Sequence, residues 1–244
     1  MKLPTEKNKI VELNPKYLIL FGKPKSGKTT IIQGLKDALH MDFEKGSSYV
    51  STMKVNINNI KDLKDLLGLL KNKQSETKGY VYTYGVLDTA TALEDLTLGI
   101  ALKDYKSTTI GKNFKGNDIR KLANGGGYLY LREAFKKVIN LLSPYFKYLI
   151  LLGHVKDVMI NNNGKEMSEY RLDLTGKLER ITSANADALG YLFRRKNQTL
   201  INFNGGGESI VEARPSHLRG KEIVIAESDE KGNMKYFWDK IFIE

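Results

Sequence analysis

The eight residues at positions 22–29, Gly-Lys-Pro-Lys-Ser-Gly-Lys-Thr, constrain this chain more than any other feature. They match the pattern G-x-x-x-x-G-K-[ST], in which backbone amides wrap a phosphate. The spacing has a physical reason. Gly22 and Gly27 free the backbone to curl so that successive N–H groups point inward. A helix starting at the end of the loop adds its unpaired N–H groups and the positive end of its dipole. Lys28 then reaches the outer phosphates, and the Thr29 hydroxyl is placed to ligate Mg²⁺. The expected phosphate-contacting set is Gly22, Lys23, Pro24, Lys25, Ser26, Gly27, Lys28, Thr29 and Thr30.

Such a loop needs a strand before it and a helix after it, and the sequence supplies both. Residues 17–21 (YLILF) form an apolar run suited to a strand buried on both faces, and 30–39 (TIIQGLKDAL) has helical spacing. Further along, 53–57 suits a strand, and Asn59 is placed to cap a helix over 60–71. Residues 71–78 are polar and loop-like. A buried strand over 80–87 ends at Asp88, helices are expected over 91–102 and 128–142, and a strand over 148–153 runs directly into His154. The segment 105–127, rich in Lys, Gly and Asn, predicts a long loop. Residues 157–175 are polar, with a turn signal at 161–164, and short β-rich pieces follow at 189–193, 199–203, 209–212 and 222–226. Alternating strands and helices followed by a meander predict one α/β domain over 16–244, behind a polar lead-in at 1–15.

Composition narrows the chemistry. The chain has no cysteine, which excludes disulfides, Cys-ligated zinc and thiol catalysis. Its three histidines, His40, His154 and His217, argue against a multi-histidine metal site. No apolar run approaches the roughly 18 residues of a membrane span, and the first residues lack the apolar core of a secretory signal. A cytoplasmic location without membrane partners is therefore expected. The formal net charge of +11 favours a polyanionic partner such as nucleic acid.

Hydrolysis at a phosphate loop needs a carboxylate for the metal shell and a group that orients water. Asp88, ending the 80–87 strand, stands where the metal-shell acid belongs. Glu44 closes the short segment 40–44 and is the expected general base. Asp42, two residues earlier, falls on the same face if the strand continues that far. His154 is placed to sense the terminal phosphate, and Lys28 completes the catalytic set.

In this order the pieces resemble the RecA-like P-loop ATPases, and among them the phage-encoded RecA-like proteins of single-strand annealing and recombination. The resemblance rests on Gly22 to Thr30, on Met41-Asp-Phe-Glu44 with Gly46, on Gly85-Val-Leu-Asp88 and on Leu151-Leu-Gly-His154. It extends more loosely to 187–190 and 214–221. It implies a RecA-like core with a mostly parallel sheet and C-terminal antiparallel strands, ATP and Mg²⁺ as cofactors, and head-to-tail rings or filaments. It further implies a basic residue acting across the subunit boundary, here Arg214, Arg219 or Lys221, with Arg194 or Arg195 as substitutes. Single-stranded DNA is the implied partner, with a single-strand-binding protein as a further one. Its expected contacts are Lys106, Lys112, Lys115, Arg120 and Lys121, interleaved with Tyr105 and Phe114, and the stretch 156–177. The expected function is an ATP-hydrolysing, DNA-associated protein of phage-type recombination, annealing or replication. The alternative is a nucleotide-binding assembly module with little hydrolysis.

Overall fold

The computed structural model describes residue 3 and residues 13–162, 165–205 and 209–244. Most of the expected lead-in at 1–15 lies outside the described residues, as do Asn163 and Gly164 of the expected turn. The strands are β1 (Tyr17–Gly22), β2 (Ala38–Asp42), β3 (Met53–Asn56), β4 (Tyr82–Asp88), β5 (Phe146–Asn162) and β6 (Lys165–Leu172). After them come β7 (Ala188–Arg195), β8 (Gln198–Asn202), β9 (Glu212–Ala213), β10 (Glu222–Ser228) and β11 (Met234–Tyr236). The helices are α1 (Lys28–Ile31), α2 (Ile60–Thr77), α3 (Ala90–Lys106), α4 (Gly127–Leu142) and α5 (Lys177–Asn185).

The sheet runs in the order β11-β10-β8-β7-β1-β5-β4-β2-β3. Strands β7, β1, β5, β4, β2 and β3 pair in parallel, while β8, β10 and β11 extend the sheet in antiparallel fashion. This is the α/β architecture the sequence predicts, with a parallel centre and an antiparallel C-terminal flank. Alternation along β1 divides the core between the two faces. Ile19 and Phe21 join one buried cluster with Leu63, Leu93, Phe135 and Val138 from the helices. Leu18 and Leu20 join the other, with Ile31, Ile32, Trp238 and Phe242. Helices therefore cover one face, and the C-terminal segment covers much of the second. Among the described residues no helix is long and apolar enough to cross a membrane.

Several elements depart from expectation for identifiable reasons. The helix expected over 30–39 is cut short: α1 ends at Ile31 and a 3-10 turn runs over Ile32–Gly34. The Trp238 indole N–H donates to the Ile31 carbonyl at 2.9 Å, and a side chain at Gly34 would overlap the Tyr236 ring. Helix α2 instead runs through the polar stretch to Thr77. Its lysines, glutamine and glutamate are good helix formers, and Lys78 ends it in a left-handed turn with its N–H on the Gln74 carbonyl. At the other end, Asn59 accepts from the N–H groups of Lys61 and Asp62, the cap its position predicts. Strand β5 does not stop at Gly153 but continues through His154 into a hairpin with β6, in register Val155↔Leu172. The polar stretch after residue 156 is thus largely sheet, followed by α5, which its spacing does not reveal.

The segment 107–126 is not a free loop. Three 3-10 turns fold it onto α3 and α4, and Ile119 is fully buried with Ala101, Leu131 and Ala134. Tyr105 packs edge-on against Phe114 and Tyr130. The aromatics expected to stack on bases thus hold this segment in place. Gly127 opens α4 where any side chain would overlap the Ile119 carbonyl oxygen. Gly127→Ala is expected to lower unfolding free energy by about 3 kcal/mol, since overpacking against backbone cannot relax by a rotamer change. Urea denaturation of the two proteins checks this, and an unchanged midpoint would show the segment to be loosely held.

Candidate active site

The parallel strands end at one edge, and their register brings the candidate side chains together. Gly22 of β1 pairs with His154 of β5, Asp88 of β4 with Leu152 of β5, and Asp42 of β2 with Asp88. A cleft of about 420 Å³ opens at this edge, lined by Lys28, Thr29, Glu44, Asp88, His154 and Arg194 among others. Gly22, Lys23 and Ser26 of the expected set are not among its lining residues.

The glycines of the loop act as the motif predicts. Gly27 sits at φ 97°, a left-handed conformation costly for other residues, and a side chain at Gly22 would overlap the Leu192 carbonyl. Lys28 is 6% exposed, and its ammonium donates to the carbonyls of Gly22 at 2.8 Å and Lys23 at 2.9 Å. Burial pulls its pKa down, offset to a degree by the charges of Asp88 and Glu44. A buried cation hydrogen-bonded to neutral carbonyls suits an arriving polyanion, which would restore the solvation it has lost.

Thr29 Oγ1 donates to Asp88 Oδ2 at 2.9 Å. The same oxygen lies 3.2 Å from His40 Nε2, and His40 Nδ1 lies 3.0 Å from Thr52 Oγ1. His40 is wholly buried. Sequence reasoning passes over it because a histidine inside a strand carries no motif. Its only signal is a polar residue in an otherwise apolar run. A hydroxyl and one carboxylate suit Mg²⁺, which takes few protein ligands and keeps phosphate and water oxygens in its shell. No group of three or more His, Cys, Asp or Glu side chains suited to holding a metal by itself occurs among the described residues.

Glu44 does not end its strand. Strand β2 stops at Asp42, and Glu44 lies in the turn beyond. Asp42 builds that turn: Oδ1 accepts from the N–H groups of Glu44 at 2.9 Å and Lys45 at 2.7 Å, while Oδ2 accepts from the Ser47 hydroxyl. Burial pushes the Asp42 pKa up, but the hydrogen bonds from Ser47, Lys45 and Glu44 outweigh it and leave it below the ordinary value. Asp42 therefore supports Glu44 from beneath rather than sharing its face. The Glu44 side chain, 34% exposed, is held at Oε1 by His154 Nε2 at 2.9 Å and by the Thr89 hydroxyl at 2.5 Å. The His154 hydrogen bond, helped by Thr89 and opposed by burial, keeps its pKa below the ordinary range. Thr89 is not foreseeable from sequence, since a threonine after Asp88 reads as a helix cap.

Among the basic candidates, Arg194 comes from this chain's own β7. A Cβ on Gly27 would stand 3.3 Å from its Nη2, so its guanidinium lies against the phosphate loop. Arg195 is paired with Glu222 at 2.7 Å. Arg214 pairs with Asp187 at 3.0 Å, and Arg219 donates to the Ala213 and Arg214 carbonyls, so both are engaged within the subunit. Lys221 is exposed, outside the cleft.

The crystal structure of the RadB recombinase is similar with a TM-score of 0.44 at 11% identity, covering 90% of each chain. That of the flagellar accessory protein FlaH from Methanocaldococcus jannaschii gives 0.40 at 15% identity, covering 91% of this chain and 88% of that one. No curated protein matches the sequence. A family model described as AAA domain matches residues 14–221, most of the sequence, and the chain belongs to that family.

Proposed function

We propose that this protein is a Mg²⁺-dependent ATPase that works on DNA, in recombination, annealing or replication of the phage type. The observation that carries the reading is the position of Glu44. Both its contacts fall on Oε1, which leaves Oε2 to accept a hydrogen bond from water inside the cleft that also holds Lys28, Thr29 and Asp88. Lys28 would bind the outer phosphates, and the amides of 23–29 would wrap them. Thr29 and Asp88 would hold Mg²⁺, which when bound neutralises charge on the phosphate oxygens. Glu44 orients water and takes its proton, with His154 and Thr89 fixing the carboxylate. Arg194 neutralises charge growing on the phosphate during transfer. A head-to-tail assembly, with Arg214, Arg219 or Lys221 facing a neighbour's cleft, belongs to the same reading.

A DNA role draws support from the net charge of +11 and from the hairpin that begins beside His154. At its other strand, Tyr170 accepts from the Lys23 ammonium of the phosphate loop at 3.2 Å. The hairpin thus touches the cleft region at both of its strands, a short route between phosphate state and a DNA-contacting segment.

Hydrolysis with and without single-stranded DNA, in wild type, Lys28→Ala and Glu44→Gln, tests the reading. Glu44→Gln is expected to keep nucleotide binding and lose about 10²–10⁴ in kcat, whereas Lys28→Ala loses binding itself. If wild type binds ATP but neither hydrolyses it nor responds to DNA, a nucleotide-gated assembly module replaces this function.

The pH profile gives a second check. With its pKa depressed, Glu44 stays ionised to lower pH than an ordinary glutamate. His154→Ala removes the largest cause, so the acid limb of kcat/KM is expected to move to higher pH. An unmoved limb separates the observed pKa from Glu44. For Arg194→Ala, kcat is expected to fall by about 10–10³-fold. Because Arg194 acts within its own subunit, mixing with Glu44→Gln subunits is expected not to rescue that loss. Rescue would assign the arginine to the neighbour's site.

A further inference from the structure

A second cavity, of about 460 Å³, lies at the opposite end of the sheet from the nucleotide cleft. It is lined by the first residues of β1 and β5 and by α4 and α5. Strand β1 spans the sheet from Tyr17 to Gly22, which at 3.3 Å per residue puts the two sites roughly 17 Å apart. Nothing in the proposed ATPase chemistry uses this cavity.

Its lining is of two kinds. One is apolar, with Phe135, Phe146 and Leu149 almost fully buried and Ile139 and Ile181 alongside. The other is charged, and of one sign. Lys16, Arg132, Lys136 and Lys147 all line it, and among the described residues no aspartate or glutamate does. Arg132, Lys136 and Lys147 thus set charges of one sign around an apolar recess, and such charges repel one another. There is also a third feature, independent of charge. Tyr17 lines the cavity, and its hydroxyl is buried with no hydrogen-bond partner among the described residues. Buried hydroxyls are rarely left so, because the lost hydration is not recovered.

We propose that this cavity docks an acidic peptide segment of a partner protein, one that carries an aromatic or branched aliphatic anchor beside a run of carboxylates. The anchor fills the apolar recess, the carboxylates meet Arg132, Lys136 and Lys147, and a polar group of the peptide completes the Tyr17 hydroxyl. Three separated cations, Arg132, Lys136 and Lys147, exceed what a single fatty-acid carboxylate would neutralise. Base stacking would need several exposed ring faces; of the aromatic side chains lining the cavity only Tyr80 is exposed, at 53%, while Phe135 and Phe146 are 2% and 3% exposed, which favours a peptide over a run of bases.

The test uses the full chain and a fluorescein-labelled peptide of five aspartates followed by leucine and phenylalanine with a free carboxylate. Fluorescence anisotropy is expected to show saturable binding that weakens with salt. Arg132→Glu/Lys136→Glu is expected to weaken it about tenfold or more, with ATP binding unchanged because neither residue lines the cleft. Tyr17→Phe is expected to weaken it several-fold without lowering thermal stability, since the variant removes an unpaired buried group. That combination is one a merely structural tyrosine would not give. The proposal is overturned if wild type shows no saturable binding or if a peptide with serines in place of the two apolar residues binds equally well. Displacement by oligothymidylate that depends on Arg132 and Lys136 would also overturn it, making the surface a nucleic-acid site.

Discussion

One carboxylate oxygen, Asp88 Oδ2, holds the cleft together. It accepts from the Thr29 hydroxyl and lies against the ring of His40, so it links the first helix, the second strand and the fourth. Asp88 is 5% exposed, and a buried carboxylate without partners would be strongly destabilising. The need to satisfy it fixes where α1 begins relative to β4, and hence where the phosphate loop opens. Asp42 does the matching work on the neighbouring strand. Its carboxylate is committed to the turn after β2, and that turn presents Glu44 to the cleft. Two buried acids thus shape the site, while Glu44 near them keeps a more exposed carboxylate.

What is legible in the sequence follows from which contacts are local. The loop at 22–29, the apolar runs of β1, β4 and β5, and the polar residues at their ends are all short-range patterns. In parallel pairing such runs end at a common edge, which is why Asp88 and His154 are legible as cleft residues. The length of α1 is not, because Trp238 and Tyr236, which close it, lie some two hundred residues away. His40 is hidden for a similar reason, its partner Asp88 lying on the neighbouring strand β4, two residues beyond the register partner Val86. Arg194 reads from sequence as a residue for a neighbouring subunit, yet the course of β7 beside the phosphate loop brings it to its own. The hairpin after His154 escapes a sequence reading because its polar composition suggests a loop, whereas pairing with β6 satisfies its backbone.

The same logic separates the two ends of the sheet. At the cleft, charges of both signs stand together: Lys25, Lys28 and Arg194 line it with Glu44 and Asp88. At the far end, the described lining of the apolar recess holds cations and no acid. A net charge of +11 alone would not distinguish these situations. Their arrangement does, since only the second sets charge of a single sign beside open apolar area.

Between the ends runs a mostly parallel sheet, and the element placed to report on the cleft is the hairpin that extends it. Its base is His154, hydrogen-bonded to Glu44, and its returning strand carries Tyr170 against Lys23, whose ammonium lies 4.7 Å from that ring's centre. Tyr170 in turn stacks on Tyr191 of β7, and Tyr191 on Phe193, one residue before Arg194. Lys23 of the loop at 22–29 and the residues that hold the hairpin are therefore packed against one another. In the proposed reading, a phosphate that draws Lys23 toward it must alter the hairpin's packing, because Lys23 sits at one end of that stack. Coupling then needs no hinge, only the loss of a contact at one end of a short aromatic row.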